Sequence, residues 1–558
     1  MTSVPALRLA SAIVWSTTGL FLLAAFFLAV VIPIHAQDAL TFGEWSRLVS
    51  QHWHLHYAAA TPQEYGRPLF YVLQGWVWGV IGFAEPLGRI LSGLFSVLLL
   101  GSLVWLVRDR DWGALAGRLM AFALISAPVF ATQIVSGLTD LPVAALVALA
   151  GAMLWRRRPT PARATAIGAV SALAMLAKPS ALLALVGLAV AQLLFRESWR
   201  SRLLYRVAPV LGGVGVGLLY DVLQARYVHQ NLRTFLQAGV NTDYYRTLAD
   251  ESRRYALLDG NWFGDGLRVA AFFALVYAVV RLVGMRHRLA VVVAAPLALF
   301  ASWLGPWIAR RESEVTVGSL HSVGAAAAAV GTTAFLLFGL ASRQDAVLSR
   351  AEMARLGVWA IPTCAAWAVY GAYDFRLLAP AWPPLLALVA LTALPAATTL
   401  ARLGPLALAI PFVLFAIVVA ENVYNVDGLQ KSGWSELRRT PAGDWFDKPT
   451  MRAIVLPAFS RALEAVRPQM RRGDLLLSPE GAFRFFFPGQ VEQSYPNNCN
   501  DLHRFRVFVL TTDEGSKRYM EQFLHVSGEP SFWAACKQPH LKQLTDGSEG
   551  YAVFRVET

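Results

Sequence analysis

Residues 86–107 read PLGRILSGLFSVLLLGSLVWLV, an apolar run with a single charge near its start. At 1.5 Å per residue such a run is long enough to cross a ~30 Å hydrocarbon core as a helix. Runs of the same kind recur near 10–32, 113–129, 138–155, 164–178, 179–195, 206–224, 266–284, 290–309, 323–342, 353–372, 378–398 and 404–421, which with 86–107 makes thirteen expected spans. The chain has 558 residues, 56% of them hydrophobic and 15% charged, and a mean hydropathy of +0.47. An ordinary soluble domain carries far more charge, so the reading is an α-helical polytopic membrane protein in which lipid replaces water around most of the chain.

A net charge of +13 would suggest nucleic acid as partner in a soluble protein. Here the basic residues fall in short connections between alternate spans: Arg8; Arg108 and Arg110; Arg156, Arg157, Arg158 and Arg163; Arg196, Arg200, Arg202 and Arg206; then Arg286, Arg288, Arg343, Arg350, Arg355 and Arg402. The positive-inside rule makes these connections cytoplasmic, with the N-terminus inside and the C-terminus outside. Basicity then reports topology, and no nucleic-acid partner is expected. The first apolar stretch is too long for a signal-peptide core and reads as an uncleaved span.

Three segments outside the spans are long enough to carry function: 33–85, 225–265, and a tail from about 422 to 558. These divide the chain into a transmembrane part, 1–421, and an external 422–558 domain. In the tail, 451–470 has helical spacing, and GDLLLSPEG, RFRVFVLTTDEG and GYAVFRV read as strands closed by turn residues, which makes a small α/β domain. Cys499 and Cys536 lie there and could form a disulfide in an oxidising compartment or remain thiols. No Gly-rich phosphate loop is present, which removes ATP-driven transport as a reading.

Ionisable side chains are costly near lipid, so those at span ends are functional candidates. Asp38 follows the first span, Asp140 opens the fourth in SGLTDLP, Lys178 sits in the turn of AMLAKPS, and Arg376 lies in YDFRLLAP before the twelfth. All four are expected on the outer side. Plainer readings exist for each: helix caps for the acids, snorkelling for the bases. EYGRPLFYVLQ (64–74) places Glu64 and Arg67 against an aromatic run that reads as an amphipathic interfacial segment, or as an aromatic belt anchoring the second span. His52, His54 and His56 alternate at period two; on a strand they would share a face and could hold a metal, and on a helix they would not.

In family order, these segments resemble the GT-C membrane glycosyltransferases, in particular the lipid A aminoarabinose transferases and protein O-mannosyltransferases. DALTFGE (38–44) is similar to that family's D-E-x-R-Y-x-E. RPLFYVLQ (67–74) is similar to P-P-L-Y-Y-W-L-Q, Gly88 to Ser92 to the R-L-x-S span start, LTDLP (138–142) to T-D-M-P, and FRLLAPAWPPLLAL (375–388) to R-Y-L-L-P…P-x-L-A-L. The chain departs at Ala39 and Thr41, where the family has an acid and an Arg. Tyr65 and Gly66 fall where it has Glu-Lys, with Glu64 and Arg67 on either side.

The resemblance implies transfer of a sugar, with inversion, from a polyprenyl-monophosphate donor to a hydroxyl of a cell-envelope glycan, lipid or protein, at the outer face of a bacterial inner membrane. It implies Asp38 as general base with Glu64 beside it, Arg67, Lys178 and Arg376 at the donor phosphate, and Glu44, Tyr65, Tyr71 and Asp140 at the substrate. No cofactor is called for, a divalent metal staying open, and a monomer in membrane lipid is expected. The rival readings are a secondary transporter or flippase of lipid-linked substrates, which would want charges near the bilayer midplane, and an inactive relative serving as a binding subunit.

Overall fold

The computed structural model describes residues 4–31, 37–52, 68–84, 86–107, 139–155, 160–195, 197–227, 262–299, 350–370, 375–389, 457–478, 483–492, 503–511, 541–545 and 551–557, with isolated residues between 118 and 137. The helices are α1 (Val4–Val31), α2 (Gln37–His52), α3 (Leu69–Ile81), α4 (Leu87–Val107), α5 (Asp140–Trp155), α6 (Pro161–Ala177) and α7 (Ala181–Gln192). After a short α8 (Trp199–Arg202) and a π turn (Leu203–Val207) come α9 (Ala208–Tyr227), α10 (Trp262–Leu282), α11 (His287–Leu299) and α12 (Arg350–Tyr370), then a 3₁₀ turn (Phe375–Ala381). Among the described residues, two helices are long and apolar enough to cross a membrane, Leu87–Val107 and Trp199–Gln224, and several apolar helices are shorter. The spans expected at 323–342 and 404–421 lie outside the described residues.

The bundle is organised around α5. Thirteen of its sixteen residues are buried, so it has no solvent or lipid face, as an all-round apolar helix requires. It is packed by α4, α6, α7 and the 3₁₀ turn. Its two ends, about 24 Å apart, carry different chemistry. At the C-terminal end, the buried Arg206 donates from Nη1 to the Leu154 carbonyl and pairs with Glu197. Phe195 is held between the Arg206 and Arg355 guanidiniums, 4.1 and 4.0 Å from its ring centre. These arginines belong to the connections expected to be cytoplasmic. The N-terminal end holds Asp140.

Within 33–85, residues 37–52 and 69–81 form helices. In α2, Phe42, Trp45 and Val49 recur at helical spacing and pack with Tyr71 and Val72 of α3. The helices meet closely at Gly75, where a Cβ would fall 2.6 Å from the Ser46 carbonyl oxygen. The interfacial reading of 69–73 is thereby corrected. Phe70, Tyr71 and Val72 are buried, and it is Trp76, Val80 and Ile81 that stay exposed. The cause is tertiary: α2 covers the face that the local pattern had assigned to the bilayer. His52 closes α2, so a strand does not include it, while His54 and His56 lie outside the described residues. Among the described residues no three His, Cys, Asp or Glu side chains gather as a metal site.

Residues 457–557 build a five-stranded mixed sheet in the order β2-β1-β3-β5-β4, comprising β1 (Leu476–Leu477), β2 (Val491–Glu492), β3 (Val507–Thr511), β4 (Leu541–Gln543) and β5 (Tyr551–Val556). β1 runs parallel to β2 and β3, and β5 antiparallel to β3 and β4, with Val507 opposite Arg555 and Val509 opposite Val553. Alternation along β3 sends Val507 and Val509 to one core and Phe508 to another. The first core is capped by α13 (Pro457–Val466), whose Phe459, Ala462, Leu463 and Val466 line one helical stripe. Trp78 of α3 inserts into that core, with Ala84 and Leu87 beside it, so the sheet is docked where α3 hands over to α4. Cys499 and Cys536 lie outside the described residues.

The close approach at Gly75 is testable. Gly75→Ala should destabilise the protein by about 1–3 kcal/mol through overpacking, whereas Gly101→Ala, where a Cβ meets open space, should not. Thermal denaturation in detergent of the two variants decides this, and equal midpoints would dismiss the α2–α3 contact.

Candidate active site

Asp140 is the first residue of α5, where the helix N-terminus favours a negative charge. It is nonetheless buried, and a buried carboxylate needs a partner. Lys178 supplies it. α6 begins with Thr160, whose hydroxyl accepts from the Arg163 amide, and Pro161, and ends at Lys178 in extended backbone. That geometry carries Nζ to 2.5 Å from Asp140 Oδ1. The Lys178 side chain keeps 28% of its exposure against 5% for Asp140, so the lysine is part-exposed while the carboxylate is enclosed. An ammonium has three donors, and this contact uses one.

Further elements pack against α5 and the loop before it. The 3₁₀ turn Phe375–Ala381, which contains Arg376, packs against α5, α7 and α12. Gly137, just ahead of Asp140, takes φ +70° and lies against Arg89 at the start of α4; a Cβ there would sit 3.1 Å from Arg89 Cγ. Gly88, beside Arg89, is in turn covered by the Gln74 amide of α3. A continuous path of contacts thus runs from α2 through α3 and the start of α4 to Asp140 and Lys178. Asp38 occupies the first turn of α2 at the head of this path.

Two residues of the path did not stand out in the sequence as site members. Arg89 is 1% exposed, one of the most deeply buried large side chains of the protein. Its signal was available as the single charge inside 86–107. Arg484, in the short helix α14 (Phe483–Phe486), has its Nε 2.8 Å from Oε2 of Glu44. Glu44, expected at the substrate, is thus turned toward the tail, and no local pattern announces this. Tyr71, also expected at substrate, is buried with its ring edge-to-face on Trp45 at 5.4 Å. Glu64, Tyr65 and Arg67 lie outside the described residues.

No family model matches the chain, and no curated protein does. Among solved structures, it is similar to ArnT from Cupriavidus metallidurans bound to undecaprenyl phosphate, with 13% identity, coverage of 96% of this chain and 97% of that one, and a TM-score of 0.54. It is also similar to the apo state of that ArnT (14% identity, 95% and 96% covered, TM-score 0.49) and to the Archaeoglobus fulgidus oligosaccharyltransferase tethered with an acceptor peptide (13% identity, 97% and 74% covered, TM-score 0.43). ArnT and the archaeal oligosaccharyltransferase are GT-C glycosyltransferases. The likeness to ArnT shows the fold: the helical architecture of that protein is shared along 96% of this chain.

Breaking the ion pair from one side should reveal it. Lys178→Ala leaves the Asp140 carboxylate buried and unpaired, at a cost of about 1–3 kcal/mol. Adding Asp140→Asn in the same chain should recover part of that loss. A double-mutant cycle on the denaturation midpoint measures the coupling, and strictly additive effects would show that the two groups do not interact.

Proposed function

We propose that this protein is an inverting glycosyltransferase that moves a sugar from a polyprenyl monophosphate to an acceptor hydroxyl on the outer face of a bacterial inner membrane. The observation that carries the reading is the fold it shares, along 96% of its length, with a protein captured with undecaprenyl phosphate. The part-exposed Lys178 side chain at the N-terminal end of α5 supports it, as does the packing of the Arg376 turn on the same helix.

Asp38 is the general base. A hydroxyl is a weak nucleophile, and a carboxylate within hydrogen-bond reach removes its proton as the oxygen attacks the anomeric carbon. The bond from that carbon to the phosphate oxygen breaks on the opposite side, which inverts the configuration and needs no covalent enzyme intermediate. Polyprenyl phosphate departs carrying the negative charge. Lys178, Arg376 and Arg67 answer that charge, the guanidiniums as planar forks and the ammonium as a point charge. Asp140 acts on Lys178 rather than on the sugar: it fixes Nζ from one side and leaves the other donors to phosphate. Glu64 and Tyr65 are assigned to the sugar. Residues 1–421 form the catalytic unit and 422–558 the outer domain, and the working form is a monomer.

Asp38→Asn should leave the purified protein folded while lowering release of polyprenyl phosphate from a polyprenyl-phosphate sugar by roughly 10²- to 10⁴-fold. Undiminished release would remove Asp38 from the base role.

A further inference from the structure

The outer domain grips α2, and its grip is polar as well as apolar. Arg484 Nε lies 2.8 Å from Glu44 Oε2, with the two side chains only 14% and 3% exposed. One turn further along α2, Arg47 Nη1 donates to the Phe485 carbonyl at 2.7 Å, and its guanidinium lies 4.9 Å over the Phe83 ring. Burial pushes the Arg47 guanidinium below its ordinary value, so the carbonyl and ring are what accommodate the charge there. Between these contacts the Phe485 ring occupies the notch left by Gly43, where any Cβ would overlap it. Phe483 and Phe485 are themselves buried in the sheet's core with Phe459, Leu463 and Val507. α3 holds the other flank of α2 through Trp45 and Val49.

A buried ion pair is poor evidence for stability, because stripping water from two charges offsets most of their attraction. Its better attested use is to fix register between elements. Hydrophobic contact alone could hold the sheet against α2 in several rotations; a carboxylate that must meet one guanidinium, next to a ring that fits one notch, allows a single rotation. Asp38 lies six residues before Glu44 on the same helix, about 9 Å along its axis. Whatever fixes α2 at Gly43 to Arg47 therefore fixes the backbone that presents Asp38.

We propose that Arg484 is a positioning residue for the transfer reaction: through Glu44 it sets the rotation of α2, so that the outer domain is a working part of the catalytic unit. This rests on the reading of Asp38 as base. A carboxylate displaced by even 1 Å can lose on the order of a hundredfold in rate while leaving substrate affinity intact.

The test uses the full-length protein with a polyprenyl-phosphate sugar, reading kcat, donor KM and hydrogen exchange of the α2 amides. Arg484→Met should lower kcat at least about tenfold with donor KM within about twofold, and speed exchange across 37–52. Arg484→Lys, which keeps the charge, should recover part of both. Gly43→Leu, which evicts the Phe485 ring but leaves both charges, should reproduce the Arg484→Met pattern. If Arg484→Met does not fold, the Lys and Gly43 variants carry the comparison. Unchanged kcat and exchange in these variants would overturn the proposal, as would a rise in donor KM at constant kcat, which would return Glu44 to the substrate. Wild-type protein that cleaves no donor would sink the transferase reading instead, and the exchange arm would still decide whether the outer domain holds α2.

Discussion

A carboxylate on the first residue of a helix buried on every side cannot stand alone, and the pairing of Asp140 with Lys178 answers that constraint. Much of the architecture follows from it. The α6–α7 turn must reach back to the start of α5, so Lys178 leaves the helix in extended backbone at that level. The loop before Asp140 must also come close to α4, and Gly137 permits this at a positive φ, against the buried Arg89. The opposite end of α5 is closed by a different device: Arg206 caps the Leu154 carbonyl, is neutralised by Glu197, and lies over the Phe195 ring. The central helix is thus polar at both ends and apolar between. At the Asp140 end the Lys178 side chain remains partly exposed.

The contacts at the Asp140 end extend well beyond the ion pair. α2, α3, the start of α4 and the docked sheet are all linked to the Asp140 end by side-chain contacts, and Trp78 belongs both to α3 and to the sheet's core. A phosphate of a lipid carrier is an anion that must stay near the membrane while its sugar is handled in water. On the proposed function, a cation supported by a buried acid at a helix end suits that divided substrate.

Legibility in the sequence varied with the range of the interaction. The apolar runs, the place of Asp140 and Lys178 at the ends of such runs, and the strands around Val507 and Tyr551 were readable because each depends on local composition or period. Lipid demands long apolar helices, and a strand packed on both faces demands a short continuous apolar run. The character of 69–73 was misread because its buried face is covered by α2, a partner that no local pattern identifies. Arg89 was overlooked within a family-like motif although its charge in an apolar run was plain. The union of Glu44 with Arg484 was invisible, since a glutamate on a short amphipathic helix and an arginine in a Phe-rich turn look like ordinary solvated residues.

The sequence by itself determined a chain of apolar helical runs with ionisable residues gathered at their ends and in the connections, because the cost of polar groups in hydrocarbon acts residue by residue. Tertiary structure alone decided which of those charges are consumed by one another and which face outward. Ion pairs are chosen by proximity in space, and proximity between the tail and α2 arises from packing the whole chain.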